Sequence, residues 1–304
     1  MRACLSVLVA LLLVAAPSGQ QPLPSVPPAT AGLAPEVLAE ATALLEQFVA
    51  DGRIAGGAAL LGPWITPYDP VAVDLAANYQ PSSAAHLLGT DHLGRDTLSR
   101  LIAGARVSLG LALAATVSGL AAGGAIGLLA AWRRGLIERA LLQLVDILLA
   151  LPELLLAMSA ITILGRGTMS TVVAVAVYAV PSFARIVRSA ALPIVQGEFV
   201  AAARASGASD VRVLAYHVLP GCWSPILAHT TVMLGSAILL ASGLSFLGLG
   251  VQPPLPSWGL MISEAKAYMF FSFWLIAIPG TALAVLIFAI NLCGDGLHEL
   301  LSPE

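Results

Sequence analysis

The stretch SLGLALAATVSGLAAGGAIGLLAAW, residues 108–132, holds no charged side chain and no proline. An α-helix rises 1.5 Å per residue, so about 20 apolar residues cross a hydrocarbon core about 30 Å thick. Ser108 to Trp132 exceeds that length and is apolar on every face, whereas a surface helix of a water-soluble protein opposes its apolar face with a charged one. The stretch therefore reads as a transmembrane helix. Four more windows read the same way: Ala140 to Leu164, Ser170 to Val187, Ile226 to Leu249, and Phe271 to Cys293.

Composition agrees with a chain that lives in lipid. The 304 residues are 58% hydrophobic and 10% charged, against about 25% charged in an ordinary soluble domain. Net charge is −3, and the 14 basic residues include a single lysine, Lys266. No basic stripe exists to neutralise a row of phosphates, so nucleic acid is excluded as a partner. Cys4, Cys222 and Cys293 lie far apart and show no metal-ligand spacing, so they read as packing residues and no metal site is expected.

The amino terminus supports two readings equally. Arg2 followed by the apolar run Ala3 to Ala16 fits a secretory signal or a short first span. Residues 17–65 follow as a Pro-rich linker containing an amphipathic helix, with Val37, Ala41, Leu44, Leu45 and Phe48 on one stripe.

Loop charge sets the orientation, because short cytoplasmic loops collect Lys and Arg. Arg133, Arg134 and Arg139 crowd one connection, and Arg185, Arg188, Arg204 and Arg212 mark another. The connections at 165–169 and 250–270 hold one basic residue each, Arg166 and Lys266. Segment 188–222 is thus expected in the cytoplasm, with 66–107 outside, the permeating domain over 108–293, and 294–304 inside.

Within that cytoplasmic segment lies EFVAAARASGASDVRVLAYHVLP, residues 198–220. The alanines favour a helix from Glu198 to Ala205, and Gly207 accepts the left-handed conformation that ends one. A second helix follows, with Ser209 as its cap, Asp210 against its positive end, and Pro220 just past its close. Val211, Leu214 and Val218 form a narrow apolar stripe that offers a knob to another protein. Ala201, Ala202 and Ala203 permit close approach of a neighbouring backbone.

The pattern of Ala201-Ala202-Ala203, Gly207 and His217-Val218-Leu219-Pro220 resembles the "EAA" signature of membrane subunits of ATP-binding-cassette importers. Ala201 stands where that signature opens with glutamate, and the nearby acid is Glu198. The form EFVAAARASGASD is similar to the dipeptide, oligopeptide and nickel branch. Four more stretches resemble its C-type permease in order: Pro67 to Pro70 with His86 to Arg106, Val145 to Glu153, Leu244 to Gly259, and Gly294 to Leu297.

The resemblance implies an all-α polytopic membrane protein with the type I importer transmembrane fold, about five or six spans, in the cell inner membrane. It implies a homologous second permease, two ATPase subunits docked through Glu198, Ala202, Ala203, Gly207, Ser209, Asp210, Val211 and Leu214, and an external substrate-binding protein. ATP and Mg would be used by the ATPase subunits, with no cofactor bound by this chain.

Competing chemistry finds little support in the residues. A phosphate-binding GxxxxGK[ST] loop needs a lysine, and Lys266 lies in Glu264-Ala265-Lys266-Ala267. His298-Glu299 opens an HExxH pattern, but Ser302 stands in place of its second histidine. Gly243-Leu244-Ser245-Phe246-Leu247 lacks the closing glycine of a nucleophile elbow. A secondary transporter with its own coupling-ion site would bring inverted repeats, and none is visible.

Gly119, Gly123 and Gly127 form two GxxxG steps, expected to seat a close helix crossing. Asp146 and Glu153 stand seven residues apart, on one face of a continuous span, where they serve either the pathway or the structure. Arg95 and Asp96 read as braces of the external loop, and His217 and His229 as polar anchors.

Overall fold

The computed structural model describes residues 65–301. The expectations for residues 1–16 and for most of the linker up to residue 65 fall outside them. Among the described residues the only β pairing is an isolated bridge between Thr90 and Asp96.

The main helices among the described residues follow in chain order. They are α1 (Thr97–Trp132), α2 (Leu136–Leu149), α3 (Glu153–Leu164), α4 (Thr168–Val195), α5 (Glu198–Ala205), α6 (Asp210–Val213), α7 (Trp223–Phe246), α8 (Trp258–Ala265) and α9 (Trp274–Leu301). A π turn, Leu214–Val218, and a helical turn, Leu219–Gly221, join α6 to α7.

Helices α1, α4, α7 and residues Trp274–Gly294 of α9 are each long and apolar enough to cross a bilayer. The window from Ala140 to Leu164, expected as one span, is instead two helices, α2 and α3, bent by 97°. The cause is Pro152, which has no N–H to continue the ladder and disfavours helical geometry at Leu151. Pro152 itself is extended, at φ −55° and ψ 134°. If the bent pair is one span, the described spans number five.

The chain divides into two compact units. One contains the described residues up to Leu111 together with Ala241–Ala289. Here α1 begins at Thr97, well before the uncharged window, because the Asp96 carboxylate caps its first turn by accepting the Ser99 N–H at 2.8 Å. The Trp258 indole donates to the Leu101 carbonyl at 2.8 Å, and the Trp258 N–H donates to Ser108 Oγ at 3.1 Å. Ser245, the centre of the defective elbow motif, is buried and accepts the Val251 N–H at 3.3 Å.

The other unit contains Ala112–Leu240 and the chain from Ile290. Its seam is the glycine face of α1 on α4. A Cβ built at Gly119 would stand 2.6 Å from Ala179 Cβ, at Gly123 2.3 Å from the Val180 carbonyl oxygen, and at Gly127 2.5 Å from the Ala184 carbonyl oxygen. Only glycine permits those contacts, so these two helices of one chain approach with their backbones nearly touching.

Candidate functional site: the bent segment 197–222

After α4 the chain turns at Gly197 into α5, whose first turn carries the exposed Glu198 and whose last turn carries Arg204, both favourably placed for the helix dipole. Val200 is fully buried and holds α5 down, while Ala201 and Ala202 face outward and Ala203 is half-buried.

The end of α5 is a Schellman turn. Ala208 N–H donates to the Ala203 carbonyl at 3.1 Å, Gly207 N–H donates to the Arg204 carbonyl at 3.0 Å, and Gly207 sits at φ +84°. The next helix starts at once, so the chain reverses sharply within a few residues.

Three details of this region differ from the sequence reading. Ser209 occupies the cap position of α6, but its side chain makes no capping bond. The apolar stripe runs through Val213 and Val218, both fully buried, whereas Val211 and Tyr216 are about three-quarters exposed. Pro220 lies inside the helical path. The π turn before it, with Leu219 N–H donating to the Leu214 carbonyl, widens the helix so that proline's missing donor and ring are accommodated. That widening also resets the phase, so that Val213 takes the place of Val211 beside Leu214 and Val218 on the buried side.

The anchor is a shared core of Ala131, Trp132, Val187, Ala191, Val200, Val213, Val218, Cys222 and Ile226. Over it, the Arg204 guanidinium lies 3.7 Å from the Trp132 ring centre. Asp210 approaches Arg133 at 3.9 Å and Arg204 at 4.0 Å. These ion pairs are half-exposed and worth little alone, so the apolar core carries the attachment. Val211 and Tyr216 ride on its outer side, while Leu214 packs half-buried against it.

Asp146 and Glu153 do not share a face, because the break at Pro152 separates them. Asp146 on α2 accepts from Arg185 at 2.7 Å. Glu153 opens α3 and contacts the Tyr178 hydroxyl. His229 is hydrogen-bonded with Ser182 Oγ at 2.8 Å, and the His217 ring lies edge-on to Phe199 at 6.5 Å.

A second polar cluster lies in the other unit. Arg95 Nε donates to Asp91 at 2.7 Å, and Arg95 and Arg100 donate to Glu264 at 2.9 and 2.8 Å. Arg100 also bonds Asp91. Both arginines are at most 4% exposed, so Arg95 is a brace. Asp96 is another, paired with His86 at 3.0 Å. Glu264 escaped the sequence reading, since 169 positions separate it from Arg95.

Burial pushes the Asp91 carboxyl up, but Arg100 and Arg95, with N–H bonds from Leu93 and Arg95, outweigh it and hold the group below its ordinary range. Burial also pushes the His92 imidazole below its ordinary range, against the opposing pull of Asp91 and Glu264.

The family profile of the inner membrane component of binding-protein-dependent transport systems matches residues 123–304. The chain is 42% identical over 252 residues to the di/tripeptide transport system permease protein DppC of Pseudomonas aeruginosa, a match that covers 81% of this chain and 83% of that one. It is 40% identical over 253 residues to the glutathione transport system permease protein GsiD of Escherichia coli, covering 81% and 82%. In fold it is similar to the inward-facing methionine ABC transporter MetNI, with a TM-score of 0.57 and 20% identity over 68% of this chain and 98% of that one. A multi-pass helical chain with these relatives belongs to the inner-membrane components of binding-protein-dependent transport systems, the permease subunits of ABC importers.

Proposed function

We propose that this chain is the C-type permease of an importer for peptides or a related small solute such as a nickel complex. It pairs with a homologous permease to enclose the pathway and receives solute from a binding protein on the outer side, where 66–107 lies. Two ATPase subunits dock on the inner side through Ser206 to Leu214. This chain conducts, and the ATPases hydrolyse.

The observation that carries this reading is the division of labour within 197–222. Val213 and Val218 are buried in the permease core, while Val211 and Tyr216 stand exposed beyond the Gly207 bend. A surface held rigidly from behind and apolar in front suits a docking helix, because a push on it moves the core to which it is bolted. The peptide assignment draws its support from the relatives, one a di/tripeptide permease and another a glutathione permease.

The test is uptake of a labelled dipeptide by the assembled complex in proteoliposomes, with the catalytic carboxylate of the ATPase subunits neutralised. Uptake is expected to stop. Continued uptake would overturn the reading in favour of a secondary carrier.

A further inference from the structure

Helices α2 and α3 face α4 through three polar rungs. Tyr178, Arg185 and Arg188 are spaced at i, i+7 and i+10 and so share one face of α4. Each meets an acid from the broken pair. Arg188 Nε donates to Glu138 at 3.0 Å, Arg185 donates to Asp146 at 2.7 Å, and Tyr178 contacts Glu153 and also Ser236 of α7.

Depth makes this ladder unusual. Tyr178 stands ten residues into α4 from Thr168, about 15 Å along the axis and so near the middle of a core about 30 Å thick. Glu153, at the same depth, is exposed in the single chain, and the Asp146 and Arg185 side chains are 60% and 58% exposed. A carboxylate at mid-depth does not face hydrocarbon.

The backbone makes the same point independently. Residues 149–153, where the helix breaks, are all exposed. Irregular backbone at membrane depth is tolerated only against protein or beside a water-filled cavity. The ion pairs at the lower rungs are already satisfied within this chain, so no partner chain is needed to neutralise them. Solute sites beside broken helices near the midplane follow the same physics.

We infer that the ladder lines the aqueous path, and that the Glu153 carboxylate at its upper rung receives the cationic group of the solute, an ammonium if the solute is a peptide. The last clause rests on the peptide reading above. The lower rungs, with carboxylate and guanidinium alternating, let a zwitterion pass without a net electrostatic trap.

The test uses a chain whose three cysteines are replaced by alanine, carrying Tyr178→Cys or, separately, Ser236→Cys, assembled with its partner subunits in nanodiscs. Each thiol is titrated with cationic and anionic methanethiosulfonates of matched size, without nucleotide, with ATP, and with ADP and vanadate. Both positions are expected to react in at least one state, with about a tenfold preference for the cationic reagent, typical of focusing by a charged cleft. Adding Glu153→Gln is expected to abolish that preference. Failure of both thiols to react in every state would overturn the path, and a preference indifferent to Glu153→Gln would overturn the role of the carboxylate. Protection by a dipeptide but not by its N-acetylated form is expected in addition. Charge preference without such protection would leave the path standing and sink the peptide reading alone.

Discussion

The Arg204 guanidinium covers the face of the Trp132 ring at 3.7 Å, which joins the last residue of α1 to the helix just before the Gly207 bend. A half-exposed cation–π contact is worth about 0.5–1 kcal/mol, whereas truncating a buried tryptophan costs about 3–5 kcal/mol. Trp132→Ala is therefore expected to lower the thermal midpoint of the purified complex sharply. Arg204→Ala should leave it nearly unchanged and reduce solute moved per ATP hydrolysed a few-fold. Equal, small effects of both variants on stability would show that Trp132 is not an anchor.

The α1–α4 seam makes a position-specific prediction. A Cβ at Gly123 would lie 2.3 Å from the Val180 carbonyl oxygen, while at neighbouring Gly124 the nearest atoms lie at 3.9 Å. Gly123→Ala should force the helices apart and reduce the amount of assembled complex. Gly124→Ala should be neutral or stabilising by about 0.5–1 kcal/mol from helix propensity. Size-exclusion profiles of the two variants, with complex yield, decide the matter.

At Gly207 the obstacle is the backbone alone, since φ is +84° and a Cβ there meets nothing within 4 Å. Gly207→Val should be strained by about 1–2 kcal/mol and Gly207→Asn much less, because asparagine tolerates the left-handed region. The expected order of ATP-coupled transport is Gly, then Asn, then Val, with membrane insertion unchanged in a protease-protection assay. Normal transport by the valine variant would remove the bend from the mechanism.

Glu264 serves both Arg95 and Arg100, which are 4% and 2% exposed. Removing one partner of a buried ionic cluster costs about 3–5 kcal/mol, because the remaining charges stay uncompensated. Glu264→Ala is expected to destabilise by about that amount in chemical denaturation. A loss below about 1 kcal/mol would mean that water replaces the carboxylate there.

The same cluster should loosen in acid. The His92 folded pKa is depressed, so as pH falls through the ordinary imidazole value of about 6.5 the unfolded chain takes up a proton that the folded chain refuses, and stability drops. The Asp91 folded pKa is depressed as well. Its contribution is complete above the ordinary carboxylate value of about 3.9 and is lost as pH falls below it toward the folded value. The thermal midpoint should therefore decline from pH 7 to pH 5, with a weaker decline in His92→Gln and a further loss below about pH 4. A midpoint that rises on acidification would contradict both assignments.

Local rules were enough wherever a neighbour in sequence decided the outcome. The helix stop at Gly207 was legible because only glycine takes φ +84° cheaply there. The glycine spacing of α1 announced a close crossing but not its partner, which the structure identifies as α4. Pro152 was visible too, yet apolar length outweighed it in the reading of Ala140 to Leu164, and the span proved broken. Leu214 and Val218 pack on the core as their spacing implies, but Val213 replaces Val211 beside them, because a π turn adds a residue that no 3.6-residue periodicity contains.

The amino-acid sequence by itself determined that this is a multi-pass membrane chain with a hinged polar segment between greasy spans, because bilayer thickness and the cost of unpaired backbone leave a run such as Ser108 to Trp132 no other stable state. Only the tertiary structure decided which charges meet: Glu264 with Arg95 and Arg100, Asp146 with Arg185, Glu138 with Arg188, and the Arg204 cation with the Trp132 ring. Such partners lie from 39 to 169 residues apart, and nothing in the local pattern around either one encodes the distance that folding closes between them.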